Sequence, residues 1–255
     1  MKIALIQSSI VWQNPEANRV YLEQKIHSIP AGINLIVLPE MFTTGFTMHP
    51  EQVAEPMNGK TVQWMQALAK AKNTAITASI VITQNNAYYN RLLFVFPTGA
   101  IQHYDKRHLF SLAGEEKVYR RGTQKLVVDY LGWKICPLVC YDLRFPVFSR
   151  NVEQYDLLLY VASWPKPRIK AWDSLLVARA IENMSYVIGS NRVGEDNNGY
   201  QYNGHSQVID CLGEYVVEPS ENEAIFITTL HQSAQNAVRE KLPFLKDKDS
   251  FEIQD

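Results

Sequence analysis

The chain is poor in cysteine, with three in 255 residues, and so sparse and odd a set excludes a disulfide framework. Cys136 and Cys140 are four positions apart. On one strand they face the same side but lie roughly 13 Å from each other, too far for a bridge. The six histidines, at 27, 49, 103, 108, 205 and 231, have no zinc-helix spacing, and no cysteine pair forms a knuckle. No metal or organic cofactor is therefore expected. Charge of one sign is also missing. A net charge of −1 with no basic cluster gives no electrostatic case for a nucleic acid or an anionic membrane as partner. No apolar run is long enough to span a bilayer. The opening "MKIALIQSSIVWQNP" breaks into polar residues too soon for a signal peptide, so a soluble, cytoplasmic protein is expected. No G-x-G-x-x-G follows the first apolar run and there is no P-loop, which removes the main support for nucleotide binding.

What is present is a series of short apolar runs. Strands are expected over 2–9, 34–40, 74–83, 88–97, 99–106, two within 125–140 around Leu131-Gly132, 155–163, 185–193, 206–218 and 224–230. "QNNA" between the runs at 74–83 and 88–97 reads as a hairpin turn. Helices are expected from Pro15 to about 28, over 60–72, 146–153, 169–183 and 231–241. In the helix at 169–183, Ala171, Leu175, Ala178 and Ile181 form the expected apolar stripe. Hairpins mixed with strand–helix alternation argue a mixed α/β layered fold in one domain, 1–255, rather than a purely parallel sheet.

Three chemically useful residues stand at the ends of apolar runs. Glu40 closes "IVLPE", Lys106 follows "IQHYD" and Cys140 closes "ICPLV". A cysteine attacks a carbonyl as its thiolate; a carboxylate can take the proton and an ammonium can hold the resulting oxyanion. Each residue also has a plainer reading. Cys140 suits a small core residue, Lys106 in "DKRH" a solvated charge, Glu40 a loop cap, Glu115 and Glu116 an exposed acidic pair, and Trp164 packing.

"LPEMFTTGF", "YDKRHLF", "CYDLRFP" and "ARAIEN" follow one another in order, and together they resemble the nitrilase, or carbon–nitrogen hydrolase, superfamily, nearest the bacterial omega-amidases. The similarity runs almost from end to end. It implies a four-layer α-β-β-α sandwich with two mixed sheets, commonly paired into homodimers through outer helices. It implies a catalytic Glu40, Lys106 and Cys140, with a second glutamate that is best matched by Glu115, seven residues before Gly122, though Glu116 is adjacent. The Tyr141 backbone N–H would share the oxyanion with Lys106. A buried pocket would raise the carboxyl pKa and the lysine would lower that of the thiol. The implied substrates are small-molecule amides, the ω-amides of 2-oxoglutaramate and 2-oxosuccinamate type. Another aliphatic amide, an N-carbamoyl amine or a nitrile would suit the same three residues. A binding or scaffold protein on this fold is the reading from another class. Arg144 is the candidate partner for the substrate carboxylate, or else pairs internally with Asp142. Phe42, Thr43, Trp164 and Arg168 are candidates for the pocket wall.

Overall fold

The computed structural model describes residues 1–253. From the amino terminus, β1 (Lys2–Gln7), α1 (Pro15–Ser28), β2 (Leu35–Val37) and α2 (Lys60–Lys72) lead into the meander β3 (Ala75–Gln84), β4 (Ala87–Val95) and β5 (Ile101–Asp105). After α3 (Glu115–Val118) come β6 (Val128–Tyr130), β7 (Trp133–Val139), α4 (Pro146–Ser149), β8 (Leu157–Ala162), α5 (Ile169–Asn183) and β9 (Tyr186–Asn191). The chain closes with β10 (Val193–Glu195), β11 (Gln201–Asn203), β12 (Gln207–Ile209), β13 (Tyr215–Val217), β14 (Ala224–Thr229) and α6 (Gln232–Lys241).

Two six-stranded sheets result, ordered β14-β1-β2-β3-β4-β5 and β13-β12-β9-β8-β7-β6. Both are mixed. β1 is parallel to β2 and antiparallel to β14, and β8 is parallel to both β7 and β9 while β12 is antiparallel to β9. The central strands read as continuous apolar runs because both their faces are covered. In β1, Ile3 and Leu5 join the core that the second sheet shares, while Ala4 and Ile6 pack with Leu22 and Ile26 of α1 and Met65 of α2. On the far side, Trp172, Leu176 and Ala180 of α5 cover the second sheet. The layers are therefore helix, sheet, sheet, helix, as expected. Burying each such Leu or Ile stabilises the fold by about 1.5–3 kcal/mol. α5 lies so close to β9 that a Cβ on Gly189 would come 2.5 Å from Leu176 Cδ1, which leaves that position to glycine.

The hairpin between β3 and β4 forms as expected, with Asn85 and Asn86 at φ 52° and 56°, the left-handed pair that a tight two-residue turn needs. Elsewhere the pattern misled. The run at 206–218 folds back on itself at Asp210–Gly213 into β12 and β13. The run at 185–193 ends its pairing at Asn191, and the short hairpin β10–β11, not expected from the pattern, follows. The expected helix at 146–153 stops at Ser149. In α5 the buried face is turned by about one residue from the predicted stripe. Trp172, Leu176, Arg179, Ala180 and Asn183 are buried, whereas Ile181 is 48% exposed. Two polar residues sit on the buried face because they have partners there. Arg179 Nη2 donates to the Leu143 carbonyl at 2.6 Å, and Asn183 Oδ1 accepts from the Asn151 N–H at 2.9 Å. Ala171 and Leu175 of the expected stripe still pack at its edge, so apolarity alone misplaced the face by about one position.

Candidate active site

Glu40, Lys106 and Cys140, spread over a hundred residues of chain, meet at the floor of one cavity of about 350 Å³ between the carboxyl ends of the central strands, and Glu115 is buried against Lys106. β2 stops at Val37, three residues short of Glu40. The backbone continues alongside β3, with Leu38 N–H on the Thr77 carbonyl at 3.0 Å and Met41 N–H on Ser79 Oγ at 3.0 Å, and Met41 turns at φ 45°. Lys106 extends β5 by one residue and pairs with β4 through its N–H and the Asn90 carbonyl at 3.0 Å. Gly122 approaches this segment so closely that its N–H bonds the Lys106 carbonyl at 3.0 Å, and a Cβ there would stand 2.1 Å from the Asp105 oxygen. Cys140 follows β7 and opens a 3₁₀ turn, Cys140–Arg144, at φ 44°. That left-handed conformation is uncommon for a residue with a side chain, and strain of this kind persists only where neighbours hold it.

Asp142 does the holding. Its carboxylate accepts from Tyr104 Oη at 2.8 Å, from the Val139 N–H at 3.0 Å and from the His108 N–H at 3.0 Å, and contacts His108 Nδ1 at 2.8 Å. These bonds tie the cysteine turn to the segment that carries Lys106. They also remove Asp142 as a partner for Arg144, so the internal pairing expected as one alternative does not form.

The polar floor is fully buried. Lys106 Nζ lies 3.0 Å from Glu40 Oε1 and 3.1 and 2.9 Å from the two oxygens of Glu115. Glu115 is fully buried at the start of α3 and also accepts the Phe110 N–H at 2.6 Å, while Glu116 points to solvent. The two adjacent glutamates are thereby told apart. Burial alone would lower the Lys106 pKa, but the Glu115 and Glu40 carboxylates outweigh it and hold the ammonium above its ordinary value. Burial raises the Glu115 pKa, Lys106 opposes that, and the nearby Glu40 charge adds to it.

The thiol departs from expectation. Burial pushes the Cys140 pKa well up, the Glu40 carboxylate adds to this, and Lys106 opposes it without prevailing. The direction favours a resting thiol over a lysine-stabilised thiolate.

Of the expected wall residues, Arg144, Trp164 and Arg168 line the cavity. The Arg144 guanidinium lies over the Trp164 ring at 4.9 Å and that of Arg168 over the Phe110 ring at 5.2 Å. Among the described residues neither has a carboxylate partner. Trp164 also packs, its Nε1 donating to the Arg168 carbonyl at 2.8 Å. Phe42 and Thr43 are elsewhere. Phe42 is core between the first sheet and its helices, 5.8 Å from the Trp64 ring, and the Thr43 carbonyl accepts from Asn18 Nδ2 at 2.7 Å. The turn at Met41 swings these two side chains away from the site that Glu40 enters. Three of the residues at the site that sequence did not point to bear on the polar floor and wall. Asn90 Nδ2 donates to Glu40 Oε1 at 2.7 Å, the Ser163 N–H donates to Glu40 Oε2 at 2.8 Å, and Tyr202, with its Oη on Asp196 Oδ2 at 2.8 Å, forms part of the wall. An asparagine amid "YYNRLLFVF" was the one visible signal, a polar residue inside an apolar strand.

Comparison with known proteins agrees with this geometry. The carbon-nitrogen hydrolase family model matches residues 2–240. The chain is 45% identical over 255 residues to the omega-amidase YafV of Escherichia coli (strain K12), covering 99% of this chain and 98% of that protein. It is 32% identical over 250 residues to the 2-oxoglutaramate amidase of Bacillus subtilis (strain 168), covering 96% of each. Among solved structures, a CN-hydrolase superfamily protein of Xanthomonas campestris, with an arsenic adduct in its active site, superposes with a TM-score of 0.97 at 43% identity. That match covers 100% of this chain and 99% of the other.

Proposed function

The chain belongs to the carbon–nitrogen hydrolase family, and from that premise we propose that it is a cysteine-dependent amidase cleaving the terminal amide of short 2-oxo acid ω-amides, 2-oxoglutaramate and 2-oxosuccinamate, to the dicarboxylic 2-oxo acid and ammonia. One observation carries this reading: Cys140, Glu40 and Lys106 share the floor of a cavity whose wall bears two guanidiniums with no carboxylate of their own among the described residues. The floor suits an amide and the wall suits an anion. The names of the relatives in E. coli and B. subtilis support the same substrate class.

Glu40 takes the Cys140 proton as sulfur attacks the amide carbon. The resulting oxyanion accepts from Lys106 Nζ and from the Tyr141 N–H, one of the amides that the first turn of a helix leaves without an intrahelical partner. Glu40 passes its proton to the nitrogen, the C–N bond breaks, and ammonia leaves a thioester on Cys140. Water attacks the thioester, its proton goes to Glu40, and the C–S bond breaks. The proton on Glu40 then returns to sulfur. Glu115 holds Lys106 in place throughout with both its oxygens, and the oxyanion takes an N–H that turns from one of these carboxylate contacts. Every step runs on these side chains and water.

Arg144 takes the substrate carboxylate, with Arg168 beside it. In Arg144→Met the stem still covers Trp164 but the charge is gone. A hydrogen bond to a charged group contributes about 1.5–3 kcal/mol, so KM for 2-oxoglutaramate is expected to rise about 10- to 100-fold with a much smaller change in kcat. An unchanged KM would assign the carboxylate to another residue. The substrate reading itself is tested on a panel of 2-oxoglutaramate, an N-carbamoyl amino acid and a simple nitrile. Faster turnover of either of the last two would overturn it.

The same reading includes a cytoplasmic setting, supported by three free cysteines, and a homodimer. On the outer face of α5, Ile181 packs against Gly213 and leaves half its surface open beside the exposed Leu212. Ile181→Glu is expected to convert a dimer to monomers in sedimentation; a wild type that sediments as a monomer would remove the dimer from the proposal.

A further inference from the structure

The unread Asn90 completes a ring. It is fully buried on β4, opposite Lys106 just past β5, and its Nδ2 donates to Glu40 Oε1 at 2.7 Å and to Glu115 Oε1 at 3.3 Å. Lys106 Nζ donates to the same two oxygens, at 3.0 and 3.1 Å. The amide orientation is forced by chemistry, since the flipped amide would set its oxygen against two carboxylates. Asn90 Oδ1, itself buried, accepts no hydrogen bond from any described residue, so Asn90 is held through its donors.

A carboxylate oxygen has two lone-pair directions. At Glu40 Oε1 both are taken, by Lys106 and by Asn90. At Oε2 one is taken, by the Ser163 N–H at 2.8 Å, and one is open. From this count we infer that Asn90 is a positioning residue which, with Lys106, saturates Oε1, so that Glu40 receives the Cys140 proton on Oε2. The S–H bond breaks as the Oε2–H bond forms, and the same oxygen later gives that proton to the leaving nitrogen. The Ser163 N–H holds Oε2 in the sulfur's direction. Asn90 thus acts on aim, through the bonds to two carboxylates that come from separate parts of the chain.

This rests on the amidase reading above, and the test separates the two. Cys140 alkylation by iodoacetamide needs no substrate, so it reads the sulfur–carboxylate pair whichever amide is cleaved. Asn90→Leu keeps the volume and removes both donors. Alkylation of Cys140 is expected to slow about 10-fold or more, and kcat on 2-oxoglutaramate to fall about 100-fold with KM within about threefold. Losing a donor by itself makes any carboxylate a stronger base, so tuning without aiming would speed alkylation. Unchanged or faster alkylation overturns the inference, as does a loss confined to KM. If the leucine variant does not fold, Asn90→Ser is compared with Asn90→Ala. The hydroxyl restores one donor, so the serine variant is expected to alkylate at least threefold faster, and equal rates overturn the inference. Wild type that is alkylated at Cys140 but inactive on every 2-oxo amide defeats the substrate reading and leaves Asn90 to be judged on alkylation alone.

Discussion

Cys140→Ala is expected to release no ammonia from 2-oxoglutaramate above the uncatalysed background, a loss of at least about 10⁴-fold, while its melting temperature stays near that of the wild type. The two halves of this expectation have separate causes. Sulfur supplies the bond that divides amide hydrolysis into two steps, and no neighbouring group can replace it. Its contribution to packing is small, because Cys140 is half-buried at the cavity floor rather than within the main core. Alanine retains the Cβ, but the backbone there stays at φ 44°, so the strain of that turn remains. The Asp142 bonds that hold the turn are also untouched. Mass spectrometry of wild type with a slow amide is expected to show an acyl adduct on Cys140 that the variant lacks. Undiminished turnover by the variant would remove sulfur from the chemistry altogether.

Lys106→Met is expected to cost both activity and stability, and for one reason. Among the described residues the ammonium is the single cation against two fully buried carboxylates, Glu40 and Glu115. As an oxyanion donor its loss costs about 3–4 kcal/mol in the transition state, or about 100- to 1,000-fold in kcat. As a buried charge partner its loss costs about 3–5 kcal/mol of folding stability, which for a chain of this size lowers the melting temperature by roughly ten degrees. Methionine fills the space, so little of that loss comes from a cavity. The pH dependence follows from which group then carries the strain. Without the cation, burial and mutual repulsion raise the carboxyl affinity for a proton above that in the unfolded chain. A raised acid destabilises the fold at pH above its folded value and is relieved as the pH falls. The stability gap between wild type and variant is therefore expected to narrow from pH 8 towards pH 5. Towards high pH the wild-type lysine, held above its ordinary 10.5, keeps its full share of the stability until the pH passes the value the lysine has in the unfolded chain, so the gap stays constant up to about pH 10. Denaturant midpoints for the two proteins across this range check both limbs. A gap that widens on acidification would contradict the buried ring.

The comparison of Glu115 with Glu116 shows where reading along the chain runs out. The two residues are identical in type and adjacent; the family resemblance favours Glu115, but local sequence gives no physical reason for the choice. The short helix that they open buries the first against Lys106 and exposes the second. Phe42 and Thr43 erred in the opposite direction. They neighbour Glu40 in sequence, but past the turn at Met41 Phe42 packs into the core and Thr43 is buried outside the cavity lining. In α5, apolar spacing selected Ile181, whereas the buried face includes Arg179 and Asn183, whose partners come from other elements.

Local order along the chain was enough for the alternating layers, the hairpin at Asn85-Asn86, and the family signatures around Glu40, Lys106 and Cys140. Those features depend on residues within a few positions of one another, where backbone preference and side-chain alternation are decided. Tertiary structure supplied the physical reason that Glu115 joins the lysine, and it alone decided that Arg144 and Arg168 face the cavity without carboxylate partners among the described residues, that burial raises the thiol pKa, and that Asn90 bridges two carboxylates. Each of these depends on burial and on groups brought together from distant segments. The fields and hydrogen bonds that set them act through space, between strands whose order in the sheet is not their order in the chain.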